Sequence, residues 1–411
     1  MKLDSKKCKL IDYGFMVLLL AVVVLVTGRL FVLQATHAMQ DSPLYHNDMK
    51  AYILEMQGLD SGYSFPYPIF FWIGGVFHLF LEPEISMAMA TLLLNTLSIL
   101  ITIWGLRQVV WKPLQKRFEA YPYLAGILIT LVAVSLHFVS MVFPPEGLYL
   151  PGIPFRYLGV FTPNPFHNAT YMATRPFAIL AFLWYIKLLP IYETGRVAFK
   201  DYVLFSVFLL LTTMTKPSFT IVLVGTAGLI MLYRIVRSKF QNFWPTIWLG
   251  LCFIPTFIAL LYQYSGVFVP SDGAEGGIGF GFAEVWGLYC GDIPLAIGLA
   301  AGFPILVLVL NWKEIKTNVA FRFSWQLYGM SLAMALILYE KGFRQPDFNF
   351  SWGYMHGIFF AFYGALVVLL QATANRESKG WKIALQWLAY LWHVVCGIYY
   401  FAGIANGAMY Y

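Results

Sequence analysis

Tyr13-Gly14-Phe15-Met16-Val17-Leu18-Leu19-Leu20-Ala21-Val22-Val23-Val24-Leu25-Val26-Thr27-Gly28-Arg29-Leu30-Phe31-Val32-Leu33 carries a single charge, Arg29. A helix needs about 20 such residues to cross roughly 30 Å of hydrocarbon. Comparable runs recur through the 411 residues, which are 60% hydrophobic, 18% aromatic and only 11% charged. That composition excludes an ordinary soluble domain. The alternation of polar and apolar residues expected of a membrane barrel is missing. The chain therefore reads as all-α: a polytopic helical membrane protein forming one transmembrane domain over 1–411, with no linker and no soluble domain.

The formal net charge of +7 is set by clusters between apolar runs. These are Lys6-Lys7-Cys8-Lys9, Lys112 to Arg117, Arg196 to Lys200, Arg234-Arg237-Lys239, Lys313-Lys316 and Arg376-Lys379-Lys382. Clusters at every second loop mark cytoplasmic loops by the positive-inside rule, so the charge reports topology and not a nucleic-acid partner. The alternate loops hold most of the acids: Asp41, Asp48, Glu55, Asp60, Glu146, Asp272, Glu275 and Asp347. Cys8, Cys252, Cys290 and Cys396 have neither a poised disulfide pair nor zinc-ligand spacing. No cofactor is called for, and the metal requirement is left open. The first apolar run lacks an A-x-A-like site and reads as an uncleaved span.

Span one runs outward over 13–33 and leads into an outer loop with juxtamembrane helices over 36–84. The apolar stretch 67–82 is read as juxtamembrane or re-entrant, because a crossing there would put Lys112, Lys116 and Arg117 outside. Span two is then 85–110, followed by 122–143, 172–190, 202–215, 217–233, 244–264, 292–311, 321–340, 352–371 and 383–403. That makes about 11 crossings, with a cytoplasmic N-terminus and an extracytoplasmic C-terminus. Lys216-Pro217 breaks a short helix pair, which membranes tolerate only beside protein or a water-filled cavity.

Chemistry concentrates in the first outer loop. Asp48, in His46-Asn47-Asp48-Met49-Lys50, is held beside an apolar surface, where lost hydration raises a carboxyl pKa and makes a better base toward a hydroxyl. Asp41 and Asp60 are its rivals, and Glu55 would face a similar direction on any helix formed there. Cations expected on the same side are Arg156, His167, Arg175, Lys216, Lys341 and Arg344, a set suited to an anionic headgroup through charge-assisted hydrogen bonds. For Lys341 and Arg344, in a loop, snorkelling to the interface is the favoured reading, although Arg344 stays in the candidate set. Lys216 at its helix break, and Arg175 near His167 and Asn168, point more to phosphate, and one cavity should gather Asp48, Lys216 and Arg175. His46, Tyr67, Asn164, Asn168, Asn349 and Trp352 could contact a hydroxylated substrate, since aromatic faces and amides recognise sugars. Interfacial aromatic belts explain many of the other Tyr and Trp residues. His78, His137, His356 and His393 read as packing residues. Asn168-Ala169-Thr170 matches a glycosylation acceptor, and the Gly-rich stretch 270–279 lacks nucleotide-loop spacing.

Taken together, these residues resemble the glycosyltransferase-C superfamily, the multi-spanning enzymes that use polyprenyl-phosphate sugars. The likeness rests on Asp48 after span one, on Tyr67-Pro68-x-x-Phe71-Trp72 before a span ending in Arg107 and Lys112, and on Thr215-Lys216-Pro217-Ser218 at a mid-chain junction. The length of the first outer loop adds to it. The resemblance implies an inverting transfer from a polyprenyl-phosphate-linked donor to a glycan or lipid-linked acceptor, with Asp48 as general base and Lys216 on the donor phosphate. The chain departs from the family in lacking a doubled acid at Asp48 and a soluble outer domain. An O-antigen-type polymerase or ligase would place a large, Arg-rich outer loop late, where this chain has short ones. A transporter or flippase for a lipid-linked solute would need ionisable residues deep in several spans.

Overall fold

A computed structural model describes residues 5–142, 162–267, 277–342 and 344–408. Glu146, Arg156, Asp272, Glu275 and the Gly-rich stretch 270–276 lie outside the described residues. The first helix, α1 (Ser5–Met39), is followed by the short α2 (Met49–Met56) and α3 (Ile69–His78) and then by α4 (Pro83–Arg117). At 10 residues α3 is about 15 Å long, half of a hydrocarbon core, and it packs against α4 instead of crossing alone.

Next come α5 (Tyr123–Leu136), α6 (Ala169–Leu188), α7 (Phe199–Thr215), α8 (Ser218–Arg237), α9 (Phe243–Leu251) and α10 (Ile254–Val267). The chain continues through α11 (Trp286–Tyr289), α12 (Ile293–Leu310), α13 (Glu314–Thr317), α14 (Val319–Ile337), α15 (Ser351–Ala374) and α16 (Gly380–Ala405). Two short strands modify the all-helical expectation: β1 (Gly277–Phe280) pairs antiparallel with β2 (Leu338–Lys341), just past α14.

Among the described residues, six helices are long and apolar enough to cross a membrane: α1, α4, α8, α12, α15 and α16. The pair α9 and α10, bent by 49°, makes a seventh if it counts as one span. This is fewer than the 11 crossings the sequence suggests. The shortfall lies in α5 and α7, which have 14 and 17 residues, and in the more polar α6 and α14. Burial explains the polarity of α6, whose face from Ala169 to Ala173 and on through Arg175 is sealed by protein. A helix packed among helices need not be uniformly apolar.

α15 is the axis of the molecule. Every residue from Ser351 to Leu370 is buried, and α14, α12, α4, α8, α16 and α5 surround it. Its approach to α14 depends on small residues, because a Cβ at Gly357 would meet Ser331 Oγ at 1.9 Å and one at Gly364 would meet Ser324 Oγ at 2.1 Å. Such stripes let backbones pack closely where lipid offers no hydrophobic drive between helices. The core divides in two. The larger part fills the bundle, and a smaller aromatic part, with Tyr52, Phe70, Phe71, Phe166, Tyr171 and Trp352, gathers where α2 and α3 meet the starts of α6 and α15. Far from it, Asp12 of α1 and Arg107 of α4 pair at 2.6 Å, against the Cα of Gly126 in α5.

Candidate functional site

Four chain segments converge on the smaller aromatic core. Gln34 of α1 ties the end of that helix to the approach to α6 by donating to the Phe166 carbonyl at 3.1 Å. Asn47 then closes a turn, its side-chain oxygen accepting from the Met49 amide at 2.6 Å, and Asp48 stands at the start of α2. The Asp48 amide donates to the His167 carbonyl at 3.3 Å, which fixes the loop against the entry to α6. Asn168 caps α6, accepting from the Tyr171 amide at 2.8 Å, the usual role of Asn at an N-cap. Lys216 is extended between α7 and α8, as the following proline requires.

One hydrogen-bond network joins these elements. Asn168 Nδ2 donates to Asp48 Oδ2 at 2.6 Å and to the Tyr52 hydroxyl at 3.0 Å. The Asn168 oxygen receives Lys216 Nζ at 3.0 Å and the Thr170 hydroxyl at 2.9 Å. Lys216 also donates to Thr170 Oγ1 at 3.1 Å, and Tyr52 reaches that same oxygen at 3.1 Å. A single amide thus links a carboxylate to an ammonium. Asp48 Oδ1 accepts no hydrogen bond among the described residues, and Asp48 keeps some accessible surface while Asn168, Thr170 and Lys216 are buried. The Trp352 ring lies 4.3 Å from Lys216 Nζ, a cation–π contact. Its indole N–H is held by Asn349 at 3.2 Å, and Asn349 in turn donates to Glu340 at 2.7 Å.

Burial dominates the electrostatics. It raises the Asp48 carboxyl above its ordinary value, with Lys216, Asn168 and His46 opposing the rise. It lowers the Lys216 ammonium to about 7, against the pull of Asp48. The pair is thus a weakened acid and a weakened base joined within one network.

The remaining sequence candidates divide. His46 is exposed and close enough to act on the charge of Asp48, and Tyr67 stacks on Phe71 beside it. Arg344 pairs with Glu340 and Asp347 and lies 6.0 Å over Tyr63, at the rim. His167 packs 5.8 Å from Trp352, but burial, then Lys216 and His46, lower its pKa to about 3, so it adds a neutral ring and not a phosphate-binding cation. Arg175 is nearly two turns past Asn168 along α6, between Tyr171 and Phe359, bonded to the Pro163 carbonyl at 3.3 Å. Its described contacts include neither Asp48 nor Lys216, although Arg175 and Lys216 both act on the buried His356. Asn164 is structural: its amide donates to the carbonyls of Leu136 and Val139 at the end of α5.

Of the rival acids, Asp41 pairs with exposed Lys50 and Asp60 closes a surface turn on Gly62. Glu55 sits two turns along α2, outside the network. The apparent glycosylation site is buried, its Asn168 amide already engaged. Tyr52 and Thr170 escaped the sequence reading, although Tyr52 stands four residues after Asp48, the spacing of one helix face. Comparison with known families finds no matching family model, and comparison with characterised proteins finds no significant relative.

Proposed function

We propose that this protein is a membrane glycosyltransferase that moves a sugar from a polyprenyl-phosphate donor to an acceptor hydroxyl on the extracytoplasmic face. The observation that carries the reading is the Asp48–Asn168–Lys216 network: one accessible carboxylate and one buried ammonium, joined by an amide at a single end of the bundle. In this reading α5, α6, α7, α9 with α10, and α14 complete 11 crossings, with a cytoplasmic N-terminus and the C-terminus outside. The basic clusters then all fall on the face opposite Asp48.

The chemistry balances on these residues. Asp48 Oδ1 takes the proton of the acceptor hydroxyl as its oxygen attacks the anomeric carbon. The bond from that carbon to the phosphate oxygen breaks on the opposite face, so the configuration inverts. The polyprenyl phosphate leaves with the electron pair, and Lys216 meets its growing charge. Asn168 holds base and cation at a fixed separation, and Trp352 covers the cation. Phe65, Tyr67 and Phe71 offer faces for a sugar ring or an isoprenoid.

The test is to purify the full chain in lipid nanodiscs and titrate it with short-chain polyprenyl phosphate. Wild type should bind it. Lys216→Ala should bind at least about tenfold more weakly, the scale of one lost charged hydrogen bond, and Lys216→Arg should recover part of the affinity. Equal binding by wild type and Lys216→Ala would remove Lys216, and this reading with it.

A further inference from the structure

A second site lies at the other end of the bundle. A cavity of about 1400 Å³ opens between α8 and α14, larger than most small-ligand pockets. From α8 it is lined at Thr226, Ile230, Tyr233, Arg234 and Arg237, and from α14 at Arg322, Trp325, Gly329, Met330 and Ala333. Each set follows the spacing of one helix face. The deep end is closed at Gly225, where a Cβ would meet Met334 Cε at 3.0 Å. The shallow end gathers four cations, Arg234, Arg237, Lys316 and Arg322, against one carboxylate, Glu193. Arg234 is 18 residues after Lys216, so this rim is about 27 Å along α8 from the Asp48 network, one membrane thickness.

The cations are arranged for a ligand more than for one another. Glu193 already accepts from Asn242 at 2.7 Å and lies 3.7 Å from Arg234. Arg234 is anchored on the Leu189 carbonyl at 2.7 Å, and Arg322 on the carbonyls of Ile315 and Lys316 through one terminal nitrogen. Arg322 Nε and Nη2, Arg237 and Lys316 have no hydrogen-bond acceptor among the described residues. Below this rim the walls are apolar, and Leu229 and Tyr233 are open to the outside of the bundle at 60% and 61% exposure. A fixed guanidinium rim above an open apolar groove matches an amphiphile with a phosphate head and a hydrocarbon tail.

We infer that the groove between α8 and α14 binds an anionic phospholipid from the leaflet opposite Asp48, its phosphate among Arg234, Arg237, Lys316 and Arg322 and an acyl chain along Ile230 and Met330. The inference does not depend on the glycosyltransferase reading. The test uses the full chain in neutral detergent, titrated with phosphatidylglycerol or phosphatidylcholine and read by native mass spectrometry. Both lipids carry the phosphodiester, but phosphatidylcholine adds a quaternary ammonium that the four cations repel, so wild type should hold phosphatidylglycerol at least about tenfold more tightly.

Two variants separate head from tail. Arg237→Gln with Lys316→Gln removes charges that carry no hydrogen-bonded role in the fold, and should abolish the preference. Gly329→Leu fills groove space, since no atom lies within 4 Å of a Cβ there, and should weaken both lipids without altering charge. Both variants should melt like wild type. Equal affinity of wild type for the two lipids, a preference that survives the double substitution, or undiminished binding to Gly329→Leu would each overturn the inference. Displacement of phosphatidylglycerol by an equal concentration of glycerol 3-phosphate would show a soluble phosphate site and overturn the lipid assignment.

Discussion

On the proposed reading, Asp48→Asn should separate catalysis from folding. The variant keeps the shape of the side chain, and its amide oxygen can accept the 2.6 Å bond that Asn168 Nδ2 gives to Asp48 Oδ2. What disappears is the charge and the basicity of Oδ1. Loss of a general base costs about 10²- to 10⁴-fold in rate, or roughly 3 to 5 kcal/mol of barrier. Stability should move the other way. Burial raises the Asp48 pKa above its ordinary value of 3.8, so the folded protein holds that proton more tightly than the unfolded chain does. The associated stability is fully present below 3.8 and is lost as pH rises through the folded pKa. Asparagine carries no charge to desolvate, so the variant should equal wild type in acid and match or exceed it at neutral pH. Lys216, already lowered to about 7, can release its proton once its carboxylate partner is gone. The assay is release of polyprenyl phosphate from a panel of short-chain polyprenyl-phosphate hexoses in nanodiscs, beside thermal melts from pH 4 to 8. Release at the wild-type rate would refute the catalytic role, and a variant that melts well below wild type at neutral pH would refute the electrostatic argument.

Three further outcomes test other parts of the structure. Because the folded Lys216 pKa is depressed to about 7, the ammonium empties as pH rises above that value, and affinity for a phosphate diester should fall by up to about tenfold per unit; Lys216→Arg should flatten the profile, and a pH-independent wild type would count against the site. Cysteines at Glu84 and Gln115, near opposite ends of α4 and about 46 Å apart, should label from opposite membrane faces, with little background because Cys8, Cys252, Cys290 and Cys396 are buried. Gly126→Ala would drive a Cβ to 2.0 Å from Asp12 Oδ1 and disturb its 2.6 Å pair with Arg107. Overpacking of this kind costs about 1 to 3 kcal/mol, so the melting temperature should drop clearly, and an unchanged melt would show that α1 and α5 can separate there.

The class of fold is legible in the chain alone, because a run such as Tyr13 to Leu33 has one stable solution in hydrocarbon, a helix that satisfies its own backbone. So is the helix break at Lys216, since proline removes a donor and forces the preceding residue to be extended. Charge placement singled out Asp48 and Lys216 as costly residues in need of partners. It could not say that the partner was shared. Asn168 follows Asp48 by 120 residues and precedes Lys216 by 48, and only the packing of α2, α6 and the α7–α8 break brings one amide to both. Packing also sets the candidates apart from one another. Arg175 and Asn164 sit in the same polar-rich stretch as Asn168, yet helix geometry buries the first nearly two turns deeper and points the second at the end of α5. His167 loses its charge to burial, a quantity that no local pattern encodes. The cationic groove between α8 and α14 is likewise invisible in the chain, where Arg234 and Arg322 stand 88 residues apart. A linear charge pattern reports which side of a membrane a residue prefers; which charges face one another depends on how the helices cross.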